Sequence, residues 1–148
     1  GRVIARPYLP GLPLAPVTLE GAPGDEAGAQ IAELAGSRSW RLAFDASYDG
    51  ALSVQIGSGS GLSITLEDGR LSVDLTGTRY PHGGRRVVTL EAGEASRVEI
   101  LHDRSITEIY LGDGSRVFTT RSFLNGDGSG VTLTGAASVT NVSAARAD

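Results

Sequence analysis

Residues 96–124 hold most of the side chains in this chain that could do chemistry. They run Ser-Arg-Val-Glu-Ile-Leu-His-Asp-Arg-Ser-Ile-Thr-Glu-Ile-Tyr-Leu-Gly-Asp-Gly-Ser-Arg-Val-Phe-Thr-Thr-Arg-Ser-Phe-Leu, with carboxylates at Glu99, Asp103 and Glu108, a phenol at Tyr110 and a guanidinium at Arg121. A tight turn at Asp113-Gly114 sets Glu108 opposite Thr119 and brings Arg121 to the diagonal position on the same face, where a long Glu and a long Arg can bridge. A second tight corner at Asp103-Arg104 sets Glu99 opposite Glu108. The three strands then carry a core face (Val98, Ile100, Thr107, Ile109, Leu111, Phe118) and a mixed polar face (Arg97, Glu99, Leu101, Ile106, Glu108, Tyr110, Val117, Thr119, Arg121). Opposed carboxylates repel unless arginine neutralises them, and two arginines share their face.

That face supports two readings. It is an ion-pair network on a solvated or interdomain surface, of little energetic weight where exposed. Or it is a sugar site, because hydroxyls are recognised by forked Arg and carboxylate hydrogen bonds beside an aromatic surface such as Tyr110. Glycosidase chemistry fits poorly. On one continuous strand Asp103 and Glu108 would lie roughly 16 Å apart on opposite faces, beyond the roughly 5–9.5 Å of paired glycosidase carboxylates, although a corner between them would shorten this.

Other motifs lead nowhere. His82 and His102 are the two histidines; one sits in a Tyr80-Pro81-His82-Gly83-Gly84 loop, the other ends a strand, and no Gly-x-Ser-x-Gly elbow accompanies them. Asn125-Gly126-Asp127-Gly128 reads as a turn before it reads as a calcium loop, since the terminal Glu is missing. Gly57-Ser58-Gly59-Ser60-Gly61 joins strand to strand, without the helix a phosphate loop needs. Asn141-Val142-Ser143 has the letters of a glycosylation acceptor but falls in an expected strand. No cofactor or metal is called for.

The elements that position these residues are read from period-two alternation. Runs at Trp40 to Asp45, Leu52 to Ile56, Leu62 to Glu67 and Leu71 to Leu75 alternate apolar and polar, and Asp68-Gly69 joins the last two as a hairpin. Further strands are expected at 86–91, 97–102, 106–111, 116–121, 131–134 and 138–143. About ten short strands between turns, with no convincing long helix, predict an all-β, antiparallel two-sheet β-sandwich over residues 37–148. Residues 1–36 differ. Prolines 7, 10, 13 and 16 recur at every third position, which suits an extended strap or linker, and Leu9, Leu12 and Leu14 favour the strap. Residues 25–34 fit either one short helix or a strand through 30–34.

At 148 residues the chain has the size of one domain. It contains 21 Gly and no Cys, so disulfides, thiolate metal sites and cysteine nucleophiles are excluded. All 13 basic residues are Arg, which fits a coding bias. A net charge of −4 with no basic run argues against a nucleic-acid or membrane partner, and no apolar run is long enough to span a bilayer.

His102-Asp103-Arg104-Ser105-Ile106-Thr107-Glu108-Ile109-Tyr110, then Asp113-Gly114, then Thr119-Thr120-Arg121-Ser122-Phe123, resembles the C-terminal β-sandwich module of glycoside hydrolase family 32, the family of invertases, sucrose-6-phosphate hydrolases, levanases and inulinases. Those modules carry Asp-(Arg/His)-Ser-x-(Val/Ile)-Glu-(Val/Ile)-(Phe/Tyr), a glycine-containing hairpin, then Thr-x-Arg-(Ile/Val)-(Phe/Tyr). This chain departs at Thr107 and Ser122, and lacks a Pro-x-x-Glu-Leu stretch ahead of the module.

The resemblance covers about residues 39–144 and implies a concanavalin A-like, jelly-roll accessory domain severed from a β-fructofuranosidase. The family's catalytic carboxylates lie on an N-terminal five-bladed propeller, in Asn-Asp-Pro, Arg-Asp-Pro and Glu-Cys motifs. None occurs here, since no Pro follows an Asp and there is no Cys. The expected role is therefore non-catalytic, packing on and stabilising the propeller, with homodimer formation as a further option. The alternatives are a levan- or inulin-binding module, using Asp103, Glu108, Tyr110 and Arg121, and a generic lectin-like sandwich. The resemblance implies a cytoplasmic parent for a sucrose-6-phosphate hydrolase and a secreted one for a levanase.

Overall fold

The computed structural model describes residues 15–17, 29–30, 38–57, 61–78, 84–122, 124 and 131–146. Ten strands follow in order: β1 (Ala15–Val17), β2 (Ala29–Gln30), β3 (Ser39–Ile56), β4 (Leu62–Glu67), β5 (Arg70–Asp74), β6 (Arg85–Thr89), β7 (Arg97–Asp103), β8 (Ile106–Leu111), β9 (Arg116–Arg121) and β10 (Val131–Arg146). Every described pairing is antiparallel, and no helix occurs among the described residues. Tyr80 to Gly83, Ser58 to Ser60, Phe123 and Asn125 to Gly128 lie outside the described residues, as does most of 1–36. Within 25–34 only Ala29–Gln30 is described, and it is strand.

Two long strands make one hydrogen-bonded network into a sandwich. β3 and β10 pair along almost their whole length. The C-terminal half of β3 also pairs with β4, and its N-terminal half with β7. One sheet therefore runs β6-β5-β4-β3-β10-β2 and the other β9-β8-β7-β3-β10-β1, with β3 and β10 passing through both. The passage is made at a register shift, where Leu52 faces Gly135 but Tyr48 faces Ala137. The surplus residues sit in β3, a bulge that sharpens twist and bends the pair. Here the expectation of separate strands at 40–45 and 52–56, and at 131–134 and 138–143, is corrected. Gly50 and Gly135 look locally like turn punctuation, but they lie within continuous bent strands.

The remaining strands begin and end close to where their alternation predicts. β4 alternates buried and half-buried residues throughout, so Leu62, Ile64 and Leu66 all point inward. They meet Phe44, Ile100 and Ile109 in one core cluster that contains residues from both sheets. At the open side of the sandwich, the Arg86 guanidinium lies 6.0 Å from the Phe118 ring centre, so edge strands β6 and β9 close on a cation–aromatic contact. The β3 bend is anchored by Tyr48, whose hydroxyl donates to the Ala95 carbonyl at 2.8 Å.

One part of the core is polar. His102 is 2% exposed on the inner face. Its Nδ1 lies 2.9 Å from Thr107 Oγ1, which in turn is 2.7 Å from Ser122 Oγ. Trp40 covers the imidazole, with ring centres 5.4 Å apart, while its own Nε1 is buried without a partner. Burial pushes the imidazole down to about pKa 4, against a smaller opposing pull from Asp103.

Candidate functional site

The outer face of the second sheet carries every residue expected to form a site, and cross-strand pairing arranges them in rows. Ser39, Asp103, Ile106 and Arg121 form the first row across β3, β7, β8 and β9. Arg41, Leu101, Glu108 and Thr119 form the second, and Ala43, Glu99, Tyr110 and Val117 the third. Asp45 and Arg97 begin a fourth. Adjacent strands are about 4.8 Å apart and successive rows about 6.7 Å apart.

The hairpin through Asp113-Gly114 sets Glu108 opposite Thr119 as its spacing predicts, although the turn is wider, with pairing ending at Leu111 and Arg116. Gly112 and Gly114 take φ of 65° and 99° there. The corner at Asp103-Arg104 is corrected. The turn residues are Arg104 and Ser105, with Arg104 at φ 54°, so Asp103 still pairs with Ile106. The register moves by two residues, Leu101 faces Glu108, and Glu99 faces Tyr110. A carboxylate opposite a carboxylate is thereby avoided. The same turn puts Asp103 and Glu108 on one face as diagonal neighbours, about 7–8 Å apart, where a continuous strand would have separated them.

The partners also differ from expectation. Among the described residues no ion pair joins Glu108 to Arg121. Glu108 instead accepts a hydrogen bond from the Tyr110 hydroxyl. Burial first, then the Glu108 carboxylate, holds the Tyr110 phenol well above its ordinary range. Asp103 accepts from Ser39 Oγ at 2.6 Å, and Arg121 is exposed at the end of β9. Glu99 pairs with Arg41, whose Nη1 also reaches Ser143 Oγ at 3.5 Å. Asp45 pairs with Arg97 at 3.2 Å and accepts from Asn141 Nδ2 at 2.6 Å. Arg41, Asp45 and Asn141 belong to this face but are remote from residues 96–124 in sequence. No local turn signal links β3 or β10 to β7.

An apolar patch lies under these charges. Ala43, Leu101 and Tyr110 are 0%, 4% and 7% exposed, yet they are on the face opposite the main core and lie outside its cluster. Ile106 and Val117 beside them are each 38% exposed. The outer face of the first sheet is different in kind, with Ser53, Gln55, Ser63, Thr65, Thr132 and Thr134 on its central strands. Chemically, the second face offers carboxylate acceptors already engaged by hydroxyls, arginine donors and an aromatic edge. This is a set suited to recognition of a protein surface or of hydroxyl groups.

The chain matches the family described as glycosyl hydrolases family 32 C terminal over residues 27–147. Its fold resembles part of a sucrose-6-phosphate hydrolase from Lactobacillus gasseri, with TM-score 0.69 and 18% identity over 86% of this chain and 28% of that one. It also resembles part of a fructofuranosidase from Schwanniomyces occidentalis complexed with fructose, with TM-score 0.71 and 13% identity over 97% and 36% of the two chains. An exo-inulinase from Aspergillus awamori superposes with TM-score 0.62 and 14% identity over 81% and 26%. The chain thus spans about a third or less of these proteins' length. No curated protein shows significant sequence similarity to it.

Proposed function

Since this chain belongs to the C-terminal family of the family 32 glycosyl hydrolases, we propose that it is the non-catalytic accessory sandwich of a β-fructosidase, docked onto a catalytic propeller through the first three rows of the outer face of the second sheet. The carrying observation is the asymmetry of the two outer faces. One bears small hydroxyl and amide side chains across its central strands, with the exposed Val87 confined to edge strand β6. The other bears the exposed Ile106 and Val117 beside the buried Leu101 and Tyr110, among part-buried ion pairs, a mixture of apolar side chains and arginine that interfaces favour. In this reading residues 1–36 are a strap, and the parent enzyme hydrolyses sucrose or a fructan.

Docking and intrinsic folding are separable by experiment. Ile106→Thr and Val117→Thr, which keep a β-branched side chain and add no charge opposite Asp103, should each cost the 148-residue chain no more than about 1 kcal/mol, because both side chains are partly solvated. In the full-length parent the pair should lower the unfolding midpoint by several degrees. An unchanged midpoint in the parent would remove this face from the interface. The purified chain should release no fructose from sucrose, and turnover would contradict the accessory role.

The second reading is a levan- or inulin-binding module. It is favoured by the placement of Asp103, Glu108, Tyr110 and Arg121 on one face, where Ile106 separates Asp103 from Arg121 and the Glu108–Tyr110 pair occupies the next two rows of β8. Affinity electrophoresis in levan and inulin gels distinguishes it. Retardation lost in Glu108→Ala and Arg121→Ala supports binding there; unretarded migration rejects it.

A further inference from the structure

At the bend, the fourth row of the second sheet opens into a depression of about 320 Å³, near the lower end of the range for ligand sites. Six polar side chains line it: Asp45 and Ser47 from β3, Ser138 and Thr140 from β10, and Ser96 and Arg97 at the start of β7. Row spacing places it roughly 20 Å along the sheet from Asp103 and Arg121, so it is distinct from the candidate residues at the other end.

The depression is built by an irregularity. β10 carries an extra residue between Thr140 and Ser143, where Asn141 takes φ 50°. Asn is among the few non-glycine residues that enter left-handed backbone readily, which suits it to this bulge position. What the bulge gains is a position from which the Asn141 amide reaches Asp45 Oδ2, while Arg97 Nη1 holds Oδ1. Bulges that re-aim a side chain recur beside binding sites. Asn141, then Arg97, holds the Asp45 carboxyl below its ordinary range, so it stays an acceptor at neutral pH.

We propose that this depression binds a neutral polyhydroxylated ligand, a single sugar unit or polyol, through its neighbouring hydroxyls. An acceptor and a donor stand side by side in Asp45 and Arg97. One ligand hydroxyl donates to the carboxylate while the adjacent oxygen accepts from the guanidinium. The two charges cancel, so neither an anion nor a cation gains a net attraction, whereas a vicinal diol satisfies both. Ser47, Ser96 and Thr140 supply hydroxyls that serve as donor or acceptor to the rest of the ligand.

The test is calorimetric or saturation-transfer titration of the 148-residue chain with fructose, glucose, mannitol and inorganic phosphate. Saturable binding of at least one polyol in the millimolar range, little affected by salt, is expected, with none for phosphate. Asp45→Asn and Arg97→Gln should each weaken it about tenfold or more, and Ser47→Trp, which fills the depression from the row next to the ion pair, should abolish it. Thr65→Ala, on the outer face of the other sheet, should leave it unchanged. No polyol binding, or binding that survives Ser47→Trp, overturns the proposal. The docking face is tested separately in the parent enzyme, so failure here leaves that reading standing.

Discussion

Gly135→Ala will destabilise the sandwich by about 3 kcal/mol or more, lowering the unfolding midpoint by roughly 10 °C. Gly135 lies where β10 crosses from one sheet to the other, with φ 130°, and a Cβ built there would meet the Ala51 carbonyl oxygen at 2.2 Å. That oxygen belongs to the bulged backbone of β3 and has no flexible end that could yield. Two costs therefore add, backbone strain and a collision that only reshaping the bend can relieve. Gly93→Ala is the control. At φ 77° it carries the strain alone, because nothing lies within 4 Å of its added Cβ, and its cost should stay near 1–2 kcal/mol. Equal losses in the two variants would show that the Ala51 contact does not constrain the bend.

Stability should fall by about 3 kcal/mol between pH 6.5 and pH 4, through His102 alone. The imidazole has an ordinary pKa of 6.5 in the unfolded chain and about 4 when folded. Between those values the unfolded chain binds the proton and the folded one does not, so the stabilisation is fully present above pH 6.5 and lost as pH falls towards 4. Asp45 and Asp74 are held below 3.8, Asp45 chiefly by Asn141 and Asp74 by Thr76, and their contribution is lost only at lower pH. The two windows are therefore distinct. Urea unfolding from pH 8 to pH 4 should show the slope in the parent sequence and a much flatter profile in His102→Gln. A slope that persists in the variant would place the titrating group elsewhere.

His102 also shows where local reading stops. In sequence it is a histidine ending a strand, set aside as a catalytic residue. In the folded chain it is paired through Thr107 to Ser122 and covered by Trp40, from a strand some sixty positions earlier. The Asp103-Arg104 corner failed for a related reason. Two overlapping dipeptides could make the turn, and both keep every side chain on the same face because the registers differ by two; they differ in cross-strand partners, and Arg104-Ser105 seats Leu101 rather than Glu99 against Glu108. Gly135 reads as a turn because a bulge and a turn can call for the same positive-φ backbone, here φ 130°.

Strands β4 to β9, the Asp68-Gly69 and Asp113-Gly114 hairpin registers, the division of β7–β9 into two faces and, through its motif, the family are all legible in local sequence. Each depends on residues within a few positions of one another, where period-two burial and turn conformation leave little choice. Only the tertiary structure decided that β3 and β10 run through both sheets. It also brought Arg41 to Glu99 and Asn141 to Asp45, across 58 and 96 positions. Such contacts are chosen by how whole sheets close over a shared core, a balance of buried area against chain entropy that no local pattern encodes.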